Sequence, residues 1–369
     1  MGCSASVSPG TPWRSRRPAA TAMTERALKC PQCNAPLAPP RFARSAVCPF
    51  CGTTVLLDEA AVPASRFREA WKAWNSPESH GYTLWESLGD SHWATGALVA
   101  RGEVADVFAA RRARWPTERA LLKVLRDRRD APSFDHEWAV LVALQQSDAP
   151  GAGSIAARLP QPVAQGEITA GAHAGARALI LRWADGFEHT FEAVQRTYPR
   201  GVEPHASIWI WRRILEALAF IHAAGFVHGA VLPPHLLVER GEHGVRLVGF
   251  RCAGPAGTEL RSVSAPFERF YPEAALADRR LTPALDLAMS ARCVAALLGG
   301  DPARPEVPSA VPAPLAGEIA RAGALGAAGA PAAANTAGGA WELRERLGEL
   351  ARDVFGPPAF CPIAMPEEA

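Results

Sequence analysis

The sequence has no run of apolar residues long enough to cross a membrane. Its most apolar stretch, residues 285–300, is interrupted by Asp286 and Arg292, whereas a membrane-spanning helix needs about 20 predominantly apolar residues. The first residues also lack the apolar centre of a secretory signal. We therefore expect a soluble protein of the cytoplasm with no membrane partner.

The sequence also has no strong excess of either charge. Among 369 residues, 39 are lysine or arginine and 37 are aspartate or glutamate, which leaves a formal net charge of +2. Nucleic-acid binding over a broad surface usually requires a clear excess of positive charge, so nucleic acid is not an expected partner. The composition, with 48% hydrophobic and 21% charged residues, is that of a globular chain of roughly two domains.

The first residues have no apolar pattern and are rich in Ser, Pro, Ala and Arg. Such a composition cannot bury a core, so residues 1–26 are predicted to be a disordered tail. The bias to Ala, Arg and Pro is typical of a bacterial chain. Gly2 and Ser6 match a myristoylation pattern, which we do not expect to be used in a bacterium. Translation could begin at Met1 or at Met23, which immediately precedes the first patterned segment.

Cysteine is scarce, and four of the eight cysteines occur in two pairs near the start of the chain. They are Cys30, Cys33, Cys48 and Cys51. Two residues separate the members of each pair, and fourteen residues separate the pairs. Two C-x-x-C turns can surround one ion with four thiolates in the tetrahedral arrangement that zinc prefers. We therefore predict that these four cysteines bind zinc, and residues 27–56 resemble a zinc ribbon.

This segment has two other interpretations. A pair of disulfides would need an oxidising compartment, which the sequence does not indicate. About thirty residues bury too little apolar surface to fold alone, and metal binding supplies on the order of 10 kcal/mol in comparable peptides. Zinc ribbons bind nucleic acids or proteins, and Arg41 and Arg44 between the two pairs keep a nucleic-acid adaptor as an alternative. Residues 57–90 are predicted to be a linker.

The next segments alternate in the way that strands do. Residues 97–112 predict two strands around a turn at Gly102, and residues 119–127 predict a third strand. On this third strand Lys123 lies between two leucines of the same face. A lysine there must either reach solvent or meet a buried anion, and Glu137 on the following predicted helix is the candidate partner.

A second informative pattern follows, consisting of a helix, a loop and a hairpin. One face of this predicted helix carries Ile208, Trp211, Leu215, Leu218 and His222, which recur every three or four residues. The helix is predicted to end near Gly225. The loop "FVHGAVLPPHLLV", residues 226–238, leads to a second strand, "VRLVGF", at residues 245–250.

These elements, in this order, resemble a protein kinase. In that family a helix leads to the catalytic loop H-R-D-x-x-x-x-N, and a hairpin then leads to D-F-G. His228 matches the first position of the loop, and Phe250 matches the phenylalanine of D-F-G. The catalytic aspartate, the metal-binding asparagine and the D-F-G aspartate correspond to Ala230, His235 and Gly249.

The resemblance also implies a nucleotide site and a fold. Gly102, Lys123 and Glu137 match the glycine of the phosphate-covering loop, the phosphate-binding lysine and its glutamate partner, and Asp286 matches the aspartate that braces the catalytic loop. The implied fold is α+β and bilobal, protein kinase-like, and preceded by a small zinc ribbon with four cysteine ligands. Its N-lobe would span residues 91–183 and its C-lobe residues 184–369.

Ala230 and Gly249 have no carboxylate with which to accept a proton or hold Mg²⁺, the two tasks that phosphoryl transfer requires at these positions. We therefore expect a pseudokinase that regulates or scaffolds a protein partner, contains zinc, and binds ATP weakly or not at all. One alternative is an active or atypical ATP-dependent serine/threonine kinase that uses carboxylates from Glu103, Glu239 or Glu242. The other is the nucleic-acid adaptor.

Overall fold

The computed structural model describes residues 28–30, 32–33, 35–39, 45–56, 84–113, 118–239, 244–325, 338–359, 361 and 363–365. The tail predicted at residues 1–26, most of the linker predicted at residues 57–90, and the two arginines between the cysteine pairs lie outside the described residues. No helix in the described ranges has the length and apolar character of a membrane span.

Two short antiparallel hairpins form the start of the described chain. Strand β1 (Leu28–Lys29) pairs with β2 (Pro36–Leu37), and β3 (Ser45–Val47) pairs with β4 (Thr54–Leu56). The buried residues of this unit are the four cysteines together with Ala35 and Leu37. We call the described residues within 28–56 the cysteine module, and those from residue 84 onward the body. The module has almost no apolar core apart from its cysteines, as expected for a unit that needs a metal to fold.

Six antiparallel strands then form a sheet that closes on itself. They are β5 (Leu84–Leu88), β6 (Ser91–Arg101), β7 (Ala105–Arg112), β8 (Arg119–Leu125), β9 (Pro162–Ala170) and β10 (Arg177–Arg182). Their order is β5-β6-β7-β8-β10-β9, and β9 pairs with β5. Side chains alternate between the two faces of a strand, so Ala120, Leu122 and Val124 of β8 share one face and pack in the same core with Trp93 and Ile168.

Strand β5 lies within the segment that the sequence analysis assigned to a linker. Its apolar pattern is interrupted by Glu86, which is only 1% exposed. The Glu86 carboxylate accepts hydrogen bonds from the backbone nitrogen of His173 at 3.2 Å and from its Nδ1 at 2.7 Å. A paired glutamate inside the sheet therefore explains why this strand has no clear sequence signal, and the strand-rich part begins at Leu84 instead of residue 91.

Helix α1 (Ala131–Gln146) follows β8 and packs against the sheet. Its buried residues include Phe134, Glu137 and Leu141, so one position of the buried face is a carboxylic acid. A short helix, α2 (Ala152–Ile155), precedes β9. The strand-rich part thus presents Lys123 of β8 and Glu137 of α1 toward each other.

The rest of the body is mainly helical. Its helices are α3 (Phe191–Thr197), α4 (Pro204–Ala223), α5 (Glu273–Asp278), α6 (Pro283–Leu297), α7 (Ala313–Gly323) and α8 (Gly339–Phe355). All but one residue of α6 is buried, which identifies α6 as the central helix. Trp211 of α4 is also buried and donates a hydrogen bond from Nε1 to the Oγ of Ser290 at 3.0 Å.

Two small sheets position the loop that follows α4. Strands β11 (His189–Thr190), β13 (Leu236–Val238) and β14 (Val245–Leu247) form one of them. Strand β12 (Phe226–Val227) pairs with β15 (Gly254–Pro255) in the other. Residues 228–235 therefore leave β12 and enter β13 with both ends fixed by strand pairing.

Candidate functional site

The loop at residues 228–235 is held from below by Asp286, in the first turn of α6. The Asp286 Oδ2 accepts a hydrogen bond from the backbone nitrogen of His228 at 2.8 Å, and its Oδ1 accepts one from Gly229 at 2.8 Å. His222 Nε2 of α4 lies 2.9 Å from the same carboxylate. Asp286 is fully buried, so this bracing contact, which the sequence resemblance predicted, fixes the backbone at the start of the loop.

Ala230 occupies the third position of the loop and is 1% exposed. Its backbone nitrogen donates to Nδ1 of His228 at 3.3 Å, and its carbonyl oxygen lies 2.8 Å from Nδ1 of His235. The backbone is therefore ordered by its two neighbouring histidines. The side chain is a methyl group, which can neither accept a proton nor bind a cation.

His235 fills the space above Gly249. Gly249 has a φ of +82°, and a Cβ atom added there would lie 2.6 Å from Nε2 of His235. Burial lowers the pKa of His235, and the nearby charge of Lys123 lowers it further, so the imidazole is neutral at neutral pH. A single imidazole nitrogen is a poor ligand for Mg²⁺, which prefers oxygen.

The first two residues of the loop, His228 and Gly229, also pack closely against neighbouring residues. His228 contacts Phe250 edge to face, with ring centroids 4.6 Å apart, and its Nε2 lies 3.1 Å from the carbonyl oxygen of Val248. Burial lowers the pKa of His228 to about 4. Gly229 has a φ of +70°, and a Cβ atom there would lie 2.5 Å from Leu281. The arginine that kinases usually have at this position would adopt a positive φ and would require the side chain of Leu281 to move.

Lys123 and Glu137 form the pair that the sequence suggested. Lys123 Nζ lies 2.6 Å from Oε2 of Glu137, and the glutamate side chain is almost completely buried. The same nitrogen lies 5.2 Å from the ring centroid of Phe134, within the range of a cation–π contact. The lysine is thus present and ordered, and its charge is already compensated.

The turn at Gly102 is attached to the segment that follows Phe250. Gly102 donates its backbone N–H to the carbonyl of Ala105 at 2.9 Å, which closes a tight turn between β6 and β7. The carboxylate of the next residue, Glu103, accepts a hydrogen bond from the hydroxyl of Ser264 and lies 3.5 Å from Arg251 Nη2. The sequence placed Glu103 at the tip of this turn but gave no signal for its contact with Ser264.

Helix α1 contacts the same downstream segment. His136 Nε2 lies 2.5 Å from the carbonyl oxygen of Ala253. Together with the contacts of Glu103, this contact joins the strand-rich part to the helical part, and we call the region between these two parts, where Lys123 lies near His235, the cleft.

The four cysteines of the module come together as predicted. Their sulfur atoms all lie within 4.8 Å of one another. Across the two turns, the sulfurs of Cys30 and Cys51 are 3.5 Å apart, and so are those of Cys33 and Cys48. Tetrahedral zinc with Zn–S distances of about 2.3 Å requires sulfurs about 3.8 Å apart, so the cluster fits the ion. A disulfide would need about 2.05 Å, and each of these cysteines is a free thiol.

Backbone hydrogen bonds shape the two turns that carry these thiols. Cys30 donates to the carbonyl of Ala35 at 2.8 Å, and Gly52 donates to that of Cys48 at 2.9 Å. Burial raises the pKa of the Cys33 thiol. Metal binding must therefore displace protons, as in other thiolate sites.

Two cavities lie between the cysteine module and the body, and sequence reasoning gave no signal for them. The larger has a volume of about 390 Å³, and its lining includes Lys29 and Cys30 from the module and Arg182 and Arg246 from the body. The second is lined in part by Cys33 and Cys51 from the module and by Arg158, Arg213 and Arg246 from the body. Among the described residues, neither lining includes an aspartate or a glutamate.

Comparison with known proteins supports the fold at a coarse level. No protein-family model matches the chain, and no curated protein matches it. Among the solved structures that match is that of a rhoptry kinase from Toxoplasma gondii, with a TM-score of 0.53 and 15% sequence identity. The match covers 76% of this chain and 88% of the other. At this identity the likeness shows the fold alone: the chain has a protein kinase-like fold and, near its start, a four-cysteine cluster that could bind a metal ion such as zinc.

Proposed function

We propose that this protein is a pseudokinase, a catalytically impaired protein kinase-like protein with two lobes, which regulates or scaffolds other proteins and contains a structural zinc ion. One observation carries the proposal. The imidazole of His235 fills the space where a side chain at residue 249 would stand, and the residue at the catalytic position, Ala230, ends in a methyl group. The kinase-like framework is therefore retained without its carboxylates.

The energetic argument has two parts. A positioned general base contributes about 10²- to 10⁴-fold to the rate of a reaction that needs one. Metal ions add several kcal/mol of charge stabilisation in the transition state, and in kinases two acidic or amide side chains hold them. Ala230, His235 and Gly249 provide neither group. Both effects lower the rate of phosphoryl transfer.

Nucleotide binding is proposed to be weak and independent of metal, or absent. Lys123 is in place to meet phosphates but already pairs with Glu137 at 2.6 Å. The residues at the two metal-binding positions do not fit Mg²⁺, because neither offers an oxygen donor. Glu103 would add negative charge next to the phosphates of ATP.

An active kinase that recruits other carboxylates has less support. Glu103 is engaged with Ser264 and Arg251. The carboxylate of Glu239 lies next to Gly52 of the cysteine module, where an added Cβ atom would be 3.6 Å from Glu239 Cδ. The third candidate, Glu242, lies outside the described residues.

A phosphotransfer assay tests the proposal. Purified full-length chain, labelled ATP and Mg²⁺ are incubated with a generic protein substrate, and the Lys123→Ala variant serves as the matched control. We expect equal background labelling from both chains, because the missing carboxylates and not the lysine limit the reaction. Transfer by the wild type that disappears in Lys123→Ala would contradict the proposal and favour an atypical kinase.

A chain without catalysis would act through a protein partner in the cytoplasm of a bacterium, with no membrane or nucleic-acid partner. Salt-sensitive binding of DNA or RNA by the zinc-loaded chain would favour the nucleic-acid adaptor instead.

A further inference from the structure

The surface of the body that faces the cysteine module carries an excess of positive charge. Three of its arginines line the second cavity, namely Arg158, Arg213 and Arg246. A cation taken out of water is costly unless an anion compensates for it. The charges beneath the module therefore need a partner.

Arg246 is the most demanding of these cations. It lies on β14 and is 7% exposed, and its Nη2 donates a hydrogen bond to the carbonyl oxygen of Leu159 at 2.8 Å. Among the residues that the structure describes, no carboxylate forms an ion pair with it. A carbonyl satisfies one N–H but does not neutralise the charge.

The other two arginines are only partly compensated. Arg158 Nη1 lies 3.3 Å from Oε2 of Glu216, and Arg213 Nη1 lies 2.7 Å from the same oxygen. Arg344 Nη2 lies 3.0 Å from the other oxygen of Glu216. Arg344 also pairs with Glu345, so Arg158 and Arg213 share the single carboxylate of Glu216, which leaves a net positive charge among the arginines that line the cavity.

The module supplies the missing charge when it contains zinc. Four thiolates carry a charge of −4 and one Zn²⁺ carries +2, so the loaded centre is a dianion. Three of its four ligands line the cavities with the arginines: Cys30 lines the first, and Cys33 and Cys51 line the second. Arg246 lines both cavities, with Cys30 in the first and with Cys33 and Cys51 in the second.

We propose that the zinc-loaded module docks on the body through its tetrathiolate dianion, with Arg246 as the buried counter-cation and Arg158 and Arg213 at its edge. This inference rests on the zinc site of the proposed function, not on the loss of catalysis. It makes metal loading the condition for docking. The docked module would cover Arg182 and Trp183, where the strand-rich part of the chain ends.

A second contact sets where the module sits. Gly52, in the turn after Cys51, has a φ of +71°, and a Cβ atom there would lie 3.6 Å from Cδ of Glu239 at the end of β13. The second cysteine turn thus contacts one end of the small sheet that carries Arg246.

Hydrogen exchange of the zinc-loaded full-length chain tests the inference, with zinc content measured on every sample. The test variant is Arg246→Met, which keeps the length of the side chain and removes the charge. The control is Arg177→Met on β10, whose guanidinium pairs with Asp135 and lines neither cavity. We expect Arg246→Met to retain one zinc per chain, while amides of residues 45–56 exchange roughly tenfold or more faster because a buried charge pair is lost. In the Arg177→Met control, these amides should exchange at the wild-type rate.

Wild-type chain treated with a chelator provides a second measurement that does not depend on the variant. Body amides of residues 182–183 and 244–247 should lose protection, while those of α6 should keep it. Unchanged exchange of residues 45–56 in a zinc-loaded Arg246→Met chain would overturn the inference, as would unchanged body amides after chelation. A wild-type chain that binds no zinc would overturn both the zinc site and the docking, whereas phosphotransfer activity would overturn only the pseudokinase.

Discussion

At the scale of single residues, the altered positions of the cleft are physically coupled. Gly249 adopts a positive φ, and the ring of His235 occupies the position of its missing side chain. A side chain at residue 249 would meet both backbone strain and a steric clash. The carboxylate that a kinase has at this position therefore cannot be restored by one substitution.

We expect Gly249→Asp to destabilise the fold by about 2–4 kcal/mol, from overpacking and from a non-glycine residue at positive φ. In the double variant His235→Asn, Gly249→Asp, the smaller side chain relieves the clash. The free energy of unfolding lost in the double variant should therefore be smaller, by about 1 kcal/mol or more, than the summed losses of Gly249→Asp and His235→Asn measured singly. Urea unfolding of the four chains measures this coupling, and additive effects would show that the two positions are independent.

His228 makes stability depend on pH. Burial lowers its pKa to about 4 in the folded chain, whereas an unfolded histidine titrates near 6.5. Between these values the unfolded chain binds more protons, so stability is complete above pH 6.5 and falls as the pH drops toward 4, by about 3 kcal/mol from this group. The free energy of unfolding at pH 7.5 and pH 5 measures the loss.

Two variants separate this titration from general acid sensitivity. His228→Gln should flatten the pH dependence of stability, although it lowers stability at pH 7.5. The exposed His92 is the control, and His92→Gln should leave the dependence unchanged. An equal slope in the wild type and in His228→Gln would contradict the assignment.

At the scale of elements, the sequence was most informative where burial and spacing act together. The apolar stripe of α4 could be located because a helical repeat shows which residues face inward, whereas Asp286 of α6 was identified by its resemblance to the bracing aspartate of protein kinases. Strand β5 was not recognised, since Glu86 breaks its pattern and is satisfied by His173, a residue distant in the sequence. Contacts of this kind, including that of Glu103 with Ser264, depend on tertiary packing and leave no local signal.

Asp286 links helix α6 to the loop at residues 228–235, and we expect this link to contribute strongly to stability. Its carboxylate accepts two backbone N–H groups, from His228 and Gly229, and contacts His222. Asp286→Asn places an amide where only acceptors fit, so we expect a loss of about 3–5 kcal/mol, similar to that of Asp286→Ala. Unfolding by urea measures the loss, and the exposed Asp278→Asn is the control. A cost below about 1 kcal/mol would mean that the loop is held by other contacts.

At the scale of the whole molecule, the two parts of the body are joined by protein contacts across the cleft. Glu103 contacts Ser264 and Arg251, and His136 contacts the carbonyl of Ala253. These contacts join the two parts of the body directly across the cleft. Their geometry came from the structure alone, as did the cavities beneath the cysteine module, because the sequence shows which residues are present but not which surfaces meet.

Because these contacts already hold the cleft, ATP should add little to the stability of the molecule. A ligand raises stability by RT ln(1 + [L]/Kd), which is only about 0.4 kcal/mol when its concentration equals Kd. With millimolar ATP we expect a change in melting temperature below about 2 °C, equal with Mg²⁺ and with EDTA, since no carboxylate holds the ion. The Lys123→Ala variant, measured in the same buffers, is the control for specific binding. A larger rise that requires both Mg²⁺ and Lys123 would mean that the cleft finds oxygen donors elsewhere and opens to admit them, and the contacts of Glu103 would then be a closed state and not a permanent one.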